Sequence, residues 1–200
     1  MINVGITQRL TGPDRFGERR TALDVRWPAF LAHCGLAAVP LPNDPGMAAA
    51  LVESVPLAGI VLSGGEDLGR YGGDAPERDA TERALLTRCL RTGQPLLGVC
   101  RGMQVVADHF GAALHQVNGH VAARHDVHEG QSVRTVTCYH RWAAVELPEP
   151  LAVTARRGDV VEGLRARTAP VHGIMWHPER EQRPDKADLA LFRSVFGGVA

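Results

Sequence analysis

The stretch Leu96-Leu97-Gly98-Val99-Cys100-Arg101-Gly102-Met103-Gln104 constrains this chain more than any other. An apolar run ends at a cysteine that has a glycine two residues away on each side. It reads as a strand that turns sharply into a helix, with the thiol at the apex, because any Cβ at those two positions would crowd the turn. Gly93-Gln94-Pro95 supplies a turn before the run. Val105, Val106 and Phe110 continue it at helical spacing, and Gly111 is a natural cap. A thiol at a helix N-terminus meets the positive end of the macrodipole and the unpaired N–H groups of the first turn, both of which favour the thiolate. Cys100 is therefore the candidate nucleophile, and the N–H of Arg101 a candidate donor to an oxyanion.

A partner base stands near the end of the chain, in Gly173-Ile174-Met175-Trp176-His177-Pro178-Glu179-Arg180. Pro178 disfavours helix at His177 and holds it extended, so the imidazole projects from a strand end. Glu179, two residues on, can fold back to fix the tautomer of the ring and support its charge. The other reading of this segment is a capped strand end with a surface ion pair.

Strands and helices alternate through the first half of the chain. Strands are predicted at Ile2–Ile6, Ala38–Leu41 and Gly59–Leu62, and helices at Thr21–Cys34, Met47–Val55 and Glu77–Arg91. From Gln131 onward strands dominate, broken at Leu147-Pro148-Glu149-Pro150, and the last helix is expected over about Lys186–Val195. This order predicts one α/β domain over residues 1–200, a three-layer, doubly wound and mostly parallel sheet of flavodoxin-like type. Loops that follow its strands share one edge, where ligands bind.

The elbow, the distant W-H-P-E, the Ser63-Gly64-Gly65 loop after Gly59-Ile60-Val61-Leu62, and Cys138-Tyr139-His140 together resemble the class I glutamine amidotransferases, more narrowly their γ-glutamyl hydrolase branch. The resemblance covers nearly the whole length. It implies a cysteine hydrolase that cleaves a γ-glutamyl amide through a glutamyl-thioester, with Cys100, His177 and Glu179 as catalytic residues. Gly65 and Arg101 would supply the oxyanion N–H groups, and Gln104, Tyr139 and His140 would wall the substrate pocket. Gln104 also reads as an ordinary helix-surface glutamine, and His140 as a packed histidine. The chain departs from the family in having Thr137-Cys138 where Asn-Ser is usual, and Gly173-Ile174-Met175 where Gly-Val-Gln is usual.

Arg9, Arg15, Arg19 and Arg20 cluster in the first loop, and arginine suits phosphate through bidentate contacts. A solvated loop with ion pairs to Asp14, Glu18 and Asp24 is the alternative. Gly-Ile-Thr-Gln-Arg at the start, Leu23-Asp24-Val25-Arg26-Trp27, and the final Trp-His-Pro-Glu-Arg resemble γ-glutamyl-CDP-amidate hydrolases of bacterial surface-polysaccharide pathways. That resemblance implies a nucleotide-linked γ-glutamyl substrate, with Arg9 and Arg19 on its phosphates. A glutaminase component feeding a separate synthase, or a hydrolase of γ-glutamyl amines such as γ-glutamyl-aminobutyrate, remains open. So does a homodimer.

Twenty-two basic residues balance 22 acidic ones, which disfavours a nucleic-acid surface. No run approaches the roughly 20 apolar residues of a membrane span, and Met1-Ile2-Asn3-Val4 is not a secretory h-region, so a cytoplasmic enzyme is expected. Cys34, Cys89, Cys100 and Cys138 lack metal-type spacing. Gly119 and Gly130 suggest that His115, His120, His125 and His128 lie in solvated loops, and neither a metal nor a cofactor is expected.

Overall fold

Pro28 decides where the first helix can begin. Proline lacks the N–H of a helix interior and is tolerated only in the first turn, so a helix starting at Thr21 would be broken by it. In the computed structural model, which describes residues 1–197, the helix is α1, Arg26–His33, and Asp24 accepts a 3.0 Å hydrogen bond from the Arg26 N–H just ahead of it. Thr21–Ala22 is instead a short strand, β3, paired antiparallel with Arg9–Leu10, β2. The predicted helix over Thr21–Cys34 is thus shortened at its start.

The remaining elements follow the predicted alternation. In chain order they are β1 (Ile2–Thr7), β4 (Leu36–Leu41), α2 (Pro45–Ser54), β5 (Ile60–Leu62), α3 (Pro76–Thr92), β6 (Leu96–Val99) and α4 (Arg101–His109). Then come β7 (Leu114–Gln116), β8 (Val121–Glu129), β9 (Ser132–Tyr139), β10 (Trp142–Ala144), β11 (Leu151–Arg157), β12 (Val160–Ala166), β13 (Val171–Ile174) and α5 (Lys186–Phe196). One sheet runs in the order β4-β1-β5-β6-β13-β12-β11-β8-β9. Its first five strands are parallel, and the last four extend it antiparallel.

Alternate residues of the parallel strands feed two apolar cores, one on each face, as the two-residue period of a strand requires. Ile60, Leu62 and Leu96 pack with Val52 of α2, Leu86 of α3 and Val106 of α4. Val4, Ile6, Val61 and Leu97 pack on the other face with Phe30 of α1 and Phe192 of α5. The fold is therefore the doubly wound α/β architecture expected. Chain order reverses between β1 and β5, the crevice position at which such sheets bind ligands. The ends of β1, β5, β6 and β13 all open onto that crevice.

One expectation fails in the second half. Residues between Gly119 and Gly130 form strand β8 and not loops, with Gly130-Gln131 as a two-residue hairpin turn to β9 and Gly130 at φ +62°. The glycines mark the ends of a strand. Two of the four histidines, His120 just before the strand and His125 on it, are buried and not solvated.

Candidate active site

Cys100 sits between β6 and α4 at φ 52°, ψ −106°, a conformation L-residues rarely adopt and one that stores strain where it occurs. The two flanking glycines make the turn feasible. A Cβ on Gly98 would lie 2.4 Å from the Gly102 carbonyl, and one on Gly102 would lie 2.1 Å from the Leu62 carbonyl. Both contacts are with backbone, so neither position accepts a side chain without moving a strand or the helix. The elbow read in the sequence is thereby enforced by β5 as well as by β6.

His177 follows β13 in extended conformation, φ −112°, ψ 87°, and its N–H bonds the Thr137 carbonyl at 3.0 Å. Its Nδ1 lies 2.8 Å from Glu179 Oε1, and both side chains are buried. Burial alone would lower the pKa of the ring. The Cys100 sulfur and Glu179 outweigh it and raise the value to about 9. His177 is thus an imidazolium at neutral pH beside a sulfur at a helix N-terminus, the electrostatic arrangement that activates cysteine nucleophiles.

Burial pushes the thiols of Cys34 and Cys89 up to about 11 and about 12, and burial together with Glu162 pushes Cys138 up further. None of these three stands at a helix N-terminus.

The Ser63-Gly64-Gly65 loop closes over this pair. A Cβ on Gly64 would stand 2.5 Å from His177 Cε1 and 3.5 Å from Cys100 Cβ, so Gly64 is the residue pressed against the reacting groups. Gly65, at φ 155°, stands one residue further out, between Arg9 and Arg78. A buried charge network fixes the loop. Arg78 donates to the carbonyls of Ser63 at 2.7 Å and Gly64 at 3.1 Å, and to Glu82 at 2.9 Å. Glu82 also accepts from Thr7 and pairs with the Arg101 side chain, which reaches Asp79 as well. Loop and elbow helix are therefore tied to one shared carboxylate, Glu82.

Nothing in the sequence singles out Arg78 and Glu82. Their only signal is a charged pair four residues apart on a helix, and such pairs usually face solvent.

Of the expected substrate-binding residues, Arg9 lines the cleft with Asp24, Trp27, Gly64, Gly65, His177 and Arg180. Tyr139 meets the His177 ring edge-on at 5.6 Å, and the Arg180 guanidinium lies 4.3 Å over the face of Tyr139. Gln104 is buried in the first turn of α4 and donates its amide to the Trp142 carbonyl at 2.8 Å. Arg19 does not reach the cleft, because Glu77 and the Asp74 carbonyl hold it at 2.9 Å each. Arg20 is likewise consumed by Asp14 and Glu18. His140 is turned away into a buried group with His120 and Glu162, and is not part of the cleft wall. Arg180, missed in the sequence, is the second arginine of the cleft, and its buried Nε faces Glu179 Oε1 at 3.5 Å without completing a hydrogen bond.

Fold and site together define an α/β protein with a cysteine elbow at the strand edge and a histidine–glutamate pair facing it. The model of the glutamine amidotransferase class-I family matches residues 31–195, and the chain belongs to that family. It is 30% identical over 182 residues to the γ-glutamyl-CDP-amidate hydrolase of Campylobacter jejuni, which covers 89% of this chain and 90% of that protein. It is 31% identical over 133 residues to a component of the glutamine-hydrolysing GMP synthase of Methanospirillum hungatei, covering 60% of this chain and 63% of that one. The solved structure of a glutamine amidotransferase from Thermotoga maritima superimposes with a TM-score of 0.68 at 16% identity, covering 96% of this chain and 83% of that one. The protein is thus an enzyme of glutamine amidotransferase type that hydrolyses a γ-glutamyl amide. No helix among the described residues is long and apolar enough to cross a membrane.

Proposed function

We propose that this enzyme hydrolyses γ-glutamyl-CDP-amidate to glutamate and cytidine diphosphoramidate, with Cys100, His177 and Glu179 as its catalytic residues. The Cys100 thiolate attacks the γ-carbonyl carbon, and the resulting oxyanion is met by backbone N–H groups of the elbow helix, Arg101 first, and of the Gly64-Gly65 loop. His177, held protonated by Glu179, gives its Nε2 proton to the departing nitrogen as the C–N bond breaks. Glutamate remains as a thioester on Cys100. Water, deprotonated by the now neutral His177, attacks that thioester and restores the thiolate and the imidazolium.

The 2.8 Å His177–Glu179 contact beside the cysteine elbow carries the chemistry. The leaving group is inferred from Arg9 and Arg180 at the cleft and from the relation to the Campylobacter enzyme. A diphosphate brings charge that a glutamyl pocket alone does not neutralise, and two guanidiniums match it. The reaction would take place in the cytoplasm, in the supply of a surface polysaccharide. A glutaminase component delivering ammonia to a synthase is the second reading, favoured by the relation to the GMP synthase of Methanospirillum.

Incubating the purified enzyme with glutamine, γ-glutamyl amines and γ-glutamyl-CDP-amidate, with products read by mass spectrometry, separates the readings. The nucleotidyl amide is expected to turn over fastest. Charge reversal at Arg9 should raise KM for it and leave plain glutamine unchanged. Equal turnover of glutamine and the nucleotidyl amide would discard the proposed leaving group.

A further inference from the structure

Behind the catalytic pair lies a second group of reactive side chains that the hydrolysis does not use. His120, from the turn before β8, Cys138 and His140, at the end of β9, and Glu162 of β12 converge in the interior, and all four are buried. His120 Nδ1 lies 3.2 Å from His140 Nε2. Glu162 Oε1 lies 2.8 Å from His120 Nδ1 and 3.4 Å from His140 Nε2, and Glu162 Oε2 lies 3.7 Å from Cys138 Sγ. We propose that these four residues form a structural zinc site, with two imidazole nitrogens, one thiolate and one carboxylate oxygen as ligands.

Three observations carry it. The first is spacing. Zinc bonds of about 2.0–2.1 Å to nitrogen or oxygen and about 2.3 Å to sulfur give a tetrahedron with N···N edges of about 3.3 Å and N···S edges of about 3.6 Å. His120 Nδ1, His140 Nε2 and Glu162 Oε1 stand 2.8–3.4 Å apart, Cys138 Sγ lies 3.7 Å from the other oxygen of the same carboxylate, and donor atoms of Cys138, His140 and Glu162 all lie within 4.8 Å of one another. The second is an unmet carboxylate. Glu162 has no solvent exposure and no arginine or lysine partner among the described residues, and its Oε1 completes no hydrogen bond although imidazole nitrogens surround it. A buried carboxylate needs a cation. Zinc with one thiolate and one carboxylate is electrically neutral, and binding releases the Cys138 proton to solvent.

The third is the role left to His125. Arg157 Nη1 lies 2.7 Å from His125 Nδ1, and a guanidinium can only donate. Nδ1 is therefore the acceptor, and the ring proton of neutral His125 is on Nε2, 3.3 Å from Cys138 Sγ. A protonated nitrogen cannot ligate. It donates instead to the ligating sulfur, the outer-shell bond that tunes zinc thiolates.

The sequence shows no metal motif here for a physical reason. Three distant segments supply the ligands, and only Cys138 and His140 are near each other in sequence, so no pair of short ligand spacings announces the site. Four protein ligands close the coordination sphere, which makes the site structural and not catalytic. Its position gives it a task. Cys138 bridges antiparallel to Trp176, the residue before His177, and so the ion would pin the strand end that carries the base.

The test begins with metal content of the purified enzyme, where about one zinc per chain is expected. Chelator-treated, reduced protein is then titrated with Co2+ and followed by absorption. A thiolate-to-cobalt charge-transfer band with strong tetrahedral visible bands is expected in the wild type and in Cys100→Ala, and its loss in Cys138→Ser. Circular dichroism confirms that the variants fold, and the wild-type spectrum needs no variant. Absence of the charge-transfer band from wild-type protein, or its persistence in folded Cys138→Ser, would overturn the assignment. His128→Ala, on the same strand as His125 but exposed, should leave the spectrum unchanged.

Discussion

Glu179→Gln tests whether the buried carboxylate sets the charge of the base. The ring of His177 is held at about 9 against an ordinary 6.5. At about 1.36 kcal/mol per pKa unit this is about 3 kcal/mol of preference for the imidazolium, shared by Cys100 and Glu179 after burial has worked against both. Glutamine keeps the shape and removes the charge. The amide oxygen still accepts from Nδ1, so only the charge assistance of the bond is lost, about 1–1.5 kcal/mol, which corresponds to a fall in kcat of roughly 5- to 12-fold.

The pH profile adds a second readout. His177 must be protonated to release the leaving nitrogen, so activity is retained below its pKa and lost as pH rises through about 9. Without Glu179 the imidazolium is less favoured, and the basic limb of kcat/KM moves to lower pH. Stopped-flow release of glutamate across the pH range measures both. A variant with kcat within threefold of wild type and an unmoved basic limb would refute the role given to Glu179.

Cys100→Ala should abolish turnover and labelling by a glutamine-analogue electrophile while leaving the circular dichroism spectrum unchanged. Because Cys100 is at positive φ, Cys100→Gly is expected to melt above Cys100→Ala in spite of the entropy cost of glycine, and the reverse order would argue against strain at the elbow. Gly98→Ala places a Cβ 2.4 Å from the Gly102 carbonyl and should cost about 1–3 kcal/mol in urea unfolding and nearly all activity. Phe192→Ala removes a fully buried ring 4.8 Å from Phe30 and should cost about 3–5 kcal/mol, with kcat little changed if the protein is assayed folded.

The geometry of the candidate site was legible because its causes are local. A glycine on each side of Cys100 and a proline after His177 act within two residues, so the motif and the structure agree. The sheet was legible for a similar reason, since apolar runs and turn residues alternate through the first half. What could not be read depends on contacts between distant segments. Arg19 is separated from the cleft by Glu77, 58 residues on. His140 is drawn inward by Glu162, whose own strand gives no hint of a buried charge. The β2–β3 pairing was hidden under a helix-like pattern that only Pro28 contradicted.

The β2–β3 ribbon lies outside the main sheet and carries Arg9 into the cleft from its own short pairing. Cys100, His177 and the glycine loop rest on the interior of the molecule, whereas this ribbon rests on its surface. Under the proposed function, acyl chemistry and leaving-group recognition fall on parts of the chain with very different tolerance for change. Insertions or replacements between Gln8 and Asp24 could re-specify which γ-glutamyl compound is accepted without touching the bond-breaking groups. A scaffold divided in this way can diversify its substrates one surface segment at a time.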